Sequence, residues 1–157
     1  MPFPEECLAA EQARIDALKA ARGRYKPREI RRELQQAAWD HLLAVRTEAG
    51  LTLFLKTVAA LREEKLPAIS VEGKKELVEA LELRNLLLYG EMLGKAALMR
   101  NESRGGHYRE DYPLQDDAHW LKSIVVKNVD GRMVHDTVAQ HPDWKSRPGD
   151  MGSDWWG

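Results

Sequence analysis

A chain of 157 residues with 43% apolar and 31% charged side chains has the balance of one water-facing globular domain, because disordered chains are poorer in apolar groups and membrane chains poorer in charge. Its 24 Lys and Arg against 25 Asp and Glu leave a formal net charge of −1, which removes the overall positive field expected of a nucleic-acid or anionic-membrane binder. The one cysteine, Cys7, cannot close an internal disulfide, and no run approaches the ~20 apolar residues of a membrane span; the expectation is a cytoplasmic protein without direct membrane insertion, reaching a membrane only through partner subunits.

From Glu5 to about Arg22, Leu8, Ile15 and Leu18 recur at roughly helical intervals among charges, and Gly23 follows a short first helix. Pro27 suits the first turn of a second helix, whose face carries Ile30, Leu34, Ala38, Leu42 and Val45, with Gly50 near its end. Leu51, Phe54, Leu55, Val58 and Leu61 carry the same period into a third helix that stops before Pro67. Between Glu72 and Arg100 the pattern is strongest: Leu77, Leu81, Leu88 and Met92 mark one stripe, and Leu83, Leu86, Leu87 and Leu93 widen it almost around the helix. That predicts the central, most buried helix. Gly90 and Gly94 weaken it unless a neighbour comes close, which predicts a tight helix crossing.

Periodicity ends at Arg100, and Asn101 to Asp117 reads as a charged loop rich in Gly, Asp, Arg and Pro. Ile124, Val125, Val126 and Val129 lie before Asp130-Gly131, and Met133, Val134 and Val138 after it. This predicts a hairpin of two short strands, stable only when docked. From Gln140 onward no period is visible. The expected organisation is therefore one domain over residues 1–138 and an extended tail over 139–157.

The loop is denser in ion-pairing groups than a mere connection requires. Arg100, Arg104 and Arg109 can make bidentate contacts with Glu102, Glu110, Asp111, Asp116 or Asp117, or with carboxylates of another domain. Gly105-Gly106 lets the backbone turn or approach a surface, and Pro113 fixes the exit.

The same segment resembles the R-x-E-S-R-G-[AG]-H-x-R-x-D-[FY]-P…DD-x-x-W-L pattern near the C-terminus of the succinate dehydrogenase and fumarate reductase flavoproteins. The resemblance is carried by Arg100, Glu102, Ser103, Arg104, Gly105, Gly106, His107, Arg109, Asp111, Tyr112, Pro113, Asp116, Asp117, Trp120 and Leu121. Upstream, Leu81-Glu-Leu-Arg-Asn-Leu86 resembles the family's LEL-x-N-L helix, and Pro27 to Leu66 its long arginine-bearing helical run. About residues 8 to 138 look like one family domain; L-aspartate oxidase and the flavin subunit of adenylylsulfate reductase share parts of the layout.

This resemblance implies a mainly α fold: a three-helix, spectrin-repeat-like bundle with a C-terminal charged loop and a short β-hairpin. In the family the bundle packs against an FAD-binding domain, and an iron-sulfur subunit is a further expected partner. The implied chemistry of the whole protein is hydride transfer between flavin and a dicarboxylate, with FAD in the full-length protein and no cofactor in this chain. No G-x-G-x-x-G fingerprint occurs here, and the family's substrate-binding, proton-delivering and flavin-linking residues belong to other domains. No catalytic, cofactor-binding or metal residue is nominated. The candidate site is a domain-docking loop: Arg100, Glu102, Ser103, Arg104, His107, Arg109, Asp111, Asp116, Asp117 and Trp120.

Other readings compete with this one. His107, His119, Asp111, Asp116 and Asp117 are metal-ligand types, yet their spacing matches no compact motif, and an ion-paired loop is preferred. Arg104 and His107 could stabilise charge or move a proton, against the preferred reading of a structural salt-bridge node. Cys7, beside Glu5 and Glu6, sits where a thiolate is disfavoured. Trp144, Met151, Trp155 and Trp156 fit a docking tail, packing on the flavin domain or a loose end equally well. From a different class comes the alternative of a free-standing helical interaction or assembly module. Because the helix after Met1 resembles the interior of a longer family member, the expectation is a separated piece of a flavoprotein that is inactive alone.

Overall fold

Proline and threonine mark where two of the bundle helices begin. The computed structural model describes residues 4–139 and has helix α1 over Glu5–Ala20, α2 over Pro27–His41, α3 over Glu48–Ala60 and α4 over Lys74–Met99. Pro27 occupies the first turn of α2, where its missing N–H costs nothing, and the Glu29 carboxylate accepts from the Lys26 N–H at 2.8 Å. Thr47 caps α3 by accepting from the Gly50 N–H at 3.1 Å. After α3 the chain widens into one π-helical turn, Leu61–Lys65, then tightens into a 3-10 turn, Leu66–Ala68, that absorbs Pro67.

Helices α2, α3 and α4 form the bundle. Ile30 and Leu34 from α2, Leu51, Phe54 and Val58 from α3, and Leu83 and Leu87 from α4 are at most 6% exposed. Burial of each such large side chain contributes about 1.5–3 kcal/mol before the entropy of ordering it is subtracted. The buried stripe of α4 differs from the expected one. It runs through Ala80, Leu83, Leu87, Gly90, Gly94 and Ala97, whereas Leu88 is 49% exposed and Leu93 38%. Small residues face inward because α3 comes close there: a Cβ on Gly94 would lie 2.9 Å from Leu55 Cδ2 and 3.0 Å from Phe54 Cδ1. The tight crossing expected at Gly90 and Gly94 is thus present, and the groups filling it are side chains of α3. The excess leucines of α4 form an outer apolar face instead of completing a fully buried helix.

Helix α1 also departs from its amphipathic reading. It has no buried residue, Leu8 is exposed, and Leu18 is its one side chain packed against the core. Val45 does not extend α2; with Arg46 it forms strand β1, which pairs in parallel with β2, Tyr108–Arg109. A four-residue helix α5, Asp117–Trp120, precedes the hairpin of β3, Lys122–Val129, and β4, Arg132–Ala139. The hairpin is antiparallel and closes through Asp130 and Gly131, both at positive φ, as a two-residue turn requires. It docks on α4, where the His135 ring lies 3.0 Å from the Met92 carbonyl oxygen. The tail expected beyond the hairpin, with its tryptophans, lies outside the described residues.

Candidate functional site

The last turn of α4 leaves carbonyl oxygens without helical partners, and the loop that follows folds back to supply donors. Arg109, on β2, is fully buried. Its Nη1 faces the carbonyl oxygens of Ala97 and Leu98, each at 3.2 Å, and of Arg100 at 3.4 Å. Its Nε and Nη2 donate to the two oxygens of Asp111, each at 2.7 Å. Asp111 in turn accepts from the Glu48 N–H at 2.8 Å, at the first turn of α3. The cation therefore sits at a helix C-terminus and the anion at a helix N-terminus, the placement each dipole end favours. Hydrogen bonds from Arg109 hold the Asp111 carboxyl down at about 2, assisted by the Glu48 amide.

A second node centres on Glu102, also fully buried. Its carboxylate accepts from Arg104 Nε at 2.8 Å and Nη2 at 3.0 Å, from the Asp116 N–H at 2.8 Å, and from Arg100 Nη1. Burial alone would push this carboxyl up; the donors of Arg104, Asp116 and Arg100 outweigh it and hold it at about 2. Arg104 extends outward to Asp117 at 2.7 Å, and its own pKa is raised by these carboxylates. Arg100 also donates to the Lys122 carbonyl at 2.6 Å, tying the loop to β3, and its guanidinium lies 5.1 Å from the Trp120 ring. Ser103 joins the two nodes: its hydroxyl accepts from the Arg109 N–H at 2.8 Å and lies 2.8 Å from the Tyr112 carbonyl.

At the tip, Arg104 and His107 exchange backbone hydrogen bonds of 2.7 and 2.9 Å around Gly105-Gly106, and Gly105 takes φ +55°. The His107 ring is half-buried between two backbone-anchored groups. Its Nε2 lies 3.2 Å from the Arg100 carbonyl oxygen and its Nδ1 3.3 Å from Arg46 Nη1. A carbonyl on one side and a guanidinium on the other assign the proton to Nε2 and leave the ring neutral. Burial lowers its pKa, and the nearby charges of Arg46, Arg100 and Arg109 lower it further.

All ten expected residues lie in this folded loop, in different roles. Glu102 and Arg109 are enclosed by the chain itself and act as positioning residues. Arg104, Asp117 and the backbone of Gly105-Gly106 are on the outside, together with the half-exposed rings of Tyr108 and Tyr112 and an exposed Leu114. His107 and Arg104 are spent on separate partners: Arg104 is in the ion pairs with Glu102 and Asp117, and the neutral His107 ring lies between the Arg100 carbonyl and Arg46. His119 pairs with Asp116 at 2.8 Å, and among the described residues no three His, Cys, Asp or Glu are grouped to hold a metal ion. The sequence reading missed Arg46, whose backbone and side chain both meet the loop: its carbonyl accepts from the Glu110 N–H at 2.8 Å. A β-branched residue and Thr47 on either side of it, between two helical runs, are the signal that the segment is extended.

The pyrophosphate of FAD takes open amides at a helix N-terminus behind a glycine-rich strand-to-helix turn. Among the described residues Glu29 caps α2, Thr47 and Asp111 fill the N-terminus of α3, Gly105-Gly106 leads into a strand, and α4, whose N-terminus has no side-chain cap, follows a single glycine, Gly73, so the glycine-rich turn that FAD requires is not among them.

Residues 31–146 match the family described as "Fumarate reductase flavoprotein C-term". The chain is 37% identical over 108 residues to a fumarate reductase (CoM/CoB) subunit of Methanothermobacter marburgensis, covering 66% of this chain and 19% of that protein. It is 32% identical over 141 residues to the succinate dehydrogenase flavoprotein subunit of Rickettsia bellii, covering 86% and 24%. The Sdh1 complex of Mycobacterium smegmatis in its apo form contains a chain that superposes with a TM-score of 0.75 at 30% identity, over 90% of this chain and 26% of that one. The chain thus spans about a fifth to a quarter of these relatives.

Proposed function

This chain belongs to the fumarate reductase flavoprotein C-terminal family, and from that membership we propose that its charged loop is the surface that mates with an FAD-binding domain. In this reading the chain is the helical brace of an FAD-dependent oxidoreductase of the succinate dehydrogenase and fumarate reductase type. The flavin and the dicarboxylate are held elsewhere, an iron-sulfur subunit receives or delivers electrons, and any membrane association comes through partners, since no helix among the described residues is long and apolar enough to cross one.

One observation carries the proposal: the loop is rigid by construction and yet presents its outer edge to solvent. The carboxylates of Glu102 and Asp111 and three arginines fix it against the ends of α3 and α4. Meanwhile Tyr108, Tyr112 and Leu114 are 42%, 38% and 80% exposed. Aromatic anchors around a preorganised polar centre are the composition of an interface core, and preorganisation lowers the entropic cost of binding. A free-standing scaffold would not require so much buried charge at one end of the bundle.

The test is reconstitution. The chain is mixed with a flavin-binding domain of the family, and complex formation and fumarate reduction are measured. Arg104→Ala, which removes the outermost arm of the Glu102 node, is expected to weaken association by about tenfold, as loss of a charge-assisted hydrogen-bonded contact does. Unchanged association and unchanged turnover would show that the loop is not the mating surface.

A further inference from the structure

Arg46 differs from the loop's other arginines. Arg100, Arg104 and Arg109 each have a carboxylate, whereas Arg46 spends Nε on the Leu42 carbonyl at 2.7 Å and Nη1 on the Gly106 carbonyl at 3.1 Å and on His107. Its Nη2 has no hydrogen-bond partner, and its charge no carboxylate, among the described residues. The guanidinium is half-buried, and burial lowers its pKa; the two carbonyls offset part of that cost, and no carboxylate among the described residues balances the charge. It opens on a shallow cavity of about 260 Å³ shared with Arg100, His107 and Gly106 and walled on the apolar side by Leu93 and Ile124. His107, neutral there, accepts from Arg46 Nη1 and keeps the guanidinium aimed.

We propose that this hollow receives one carboxylate, from an acidic side chain of the docking flavin domain, on the open edge of Arg46. A carboxylate matches the single unmatched positive charge and the planar donor edge of a guanidinium. The apolar wall of Leu93 and Ile124 suits the aliphatic stem of a glutamate. Because Gly106, on the docking loop, forms one rim, a side chain entering here is continuous with the proposed interface. The inference rests on the docking reading and adds to it a charge-specific anchor that the loop's own ion pairs do not supply.

Calorimetric titration of the chain with the flavin-binding domain tests it, using wild type, Arg46→Gln and Arg46→Lys. Arg46→Gln is expected to weaken association at least tenfold and to flatten its salt dependence. Arg46→Lys, which keeps the charge but loses the planar fork, is expected to weaken it several-fold with the salt dependence retained and to guard against a misfolded glutamine variant. Wild-type binding matched by both variants overturns the carboxylate site and leaves docking intact; no binding by wild type overturns both. Two further arms identify the source of the carboxylate. Succinate titrated into the isolated chain should not shift the Arg46 Nε–H resonance saturably, and removing residues 140–157 should leave that resonance in place. A saturable succinate shift lost in Arg46→Gln would make this a small-molecule site, and a shift on truncation would assign the carboxylate to the chain's own tail; either overturns the proposal.

Discussion

The bundle and the loop reach the same rigidity by opposite means. In the bundle, Phe54, Leu83 and Leu87 are fixed by shape, with no polar atom to satisfy. In the loop, Arg109 and Glu102 are as deeply buried as Phe54, and each is tolerated because every donor or acceptor has a partner. Apolar packing is indifferent to pH and graded in its response to substitution. A buried charge network depends on pH and fails when one member is removed, because the remaining charges are left unpaired. A chain that must hold a polar surface in one geometry for a partner gains from the second kind of core, and it carries that core's sensitivity.

The strongest way to break this contrast is to remove one anchor from each region. Phe54→Ala is expected to destabilise the chain by about 3–5 kcal/mol through the cavity it leaves. Arg109→Met is expected to cost about the same, through an unpaired Asp111 and uncapped carbonyls at the end of α4. Urea unfolding separates them: the Phe54 cost should be equal at pH 7 and at about pH 2.5, whereas the Arg109 cost should shrink in acid as the wild-type pair itself weakens. Equal pH behaviour would remove the distinction between the two cores.

Acid should unmask the loop next. The Glu102 carboxyl falls from an ordinary 4.5 to about 2 and that of Asp111 from 3.8 to about 2. Depressed folded values stabilise above the unfolded pKa, so this contribution is full at neutral pH and is lost as pH falls from about 4.5 towards 2. For Glu102 it amounts to about 3 kcal/mol at most. His107, lowered from 6.5 by burial, adds an earlier decline that begins as pH drops below 6.5, because the unfolded chain then binds a proton the folded ring resists. Glu102→Gln should remove the larger share of the lower segment of the stability–pH curve, leaving the Asp111 share and the upper segment in place.

Smaller effects sharpen the account of the bundle. Gly94→Ala gains about 1 kcal/mol of helix propensity but pushes a methyl against Leu55 and Phe54, an overpacking cost of about 1–3 kcal/mol, so a net loss of about 1 kcal/mol in thermal unfolding is expected. Arg14→Ala breaks an exposed pair with Glu11 on α1 and should change stability by less than about 0.5 kcal/mol.

The elements were legible where a local signal exists. Pro27 and Pro67 bracket α2 and α3, and Asp130-Gly131 between valine-rich runs marks the hairpin turn, because these residues act through their own φ angles. The pairing of Val45–Arg46 with Tyr108–Arg109 was not legible, since a two-residue parallel bridge across some sixty positions has no local signature. The facing of α4 was misread for a related reason: hydrophobicity points to leucines, whereas close approach to α3 selects Ala80, Gly90, Gly94 and Ala97. The residues of the docking loop could be named from their motif. That Glu102 and Arg109 turn inward while Arg104 and Tyr108 face out depends on where the ends of α3 and α4 lie, which the string of letters does not contain.

Hydrogen exchange on the chain, alone and with a flavin-binding domain of the family, tests the central claim most directly. The account predicts that complex formation slows exchange at the backbone of Gly105, Gly106, Tyr108 and Glu110, leaves the buried Arg109 amide already slow, and does not change α1. Protection that appears on α1 or the outer face of α4 while the loop exchanges as before would contradict it.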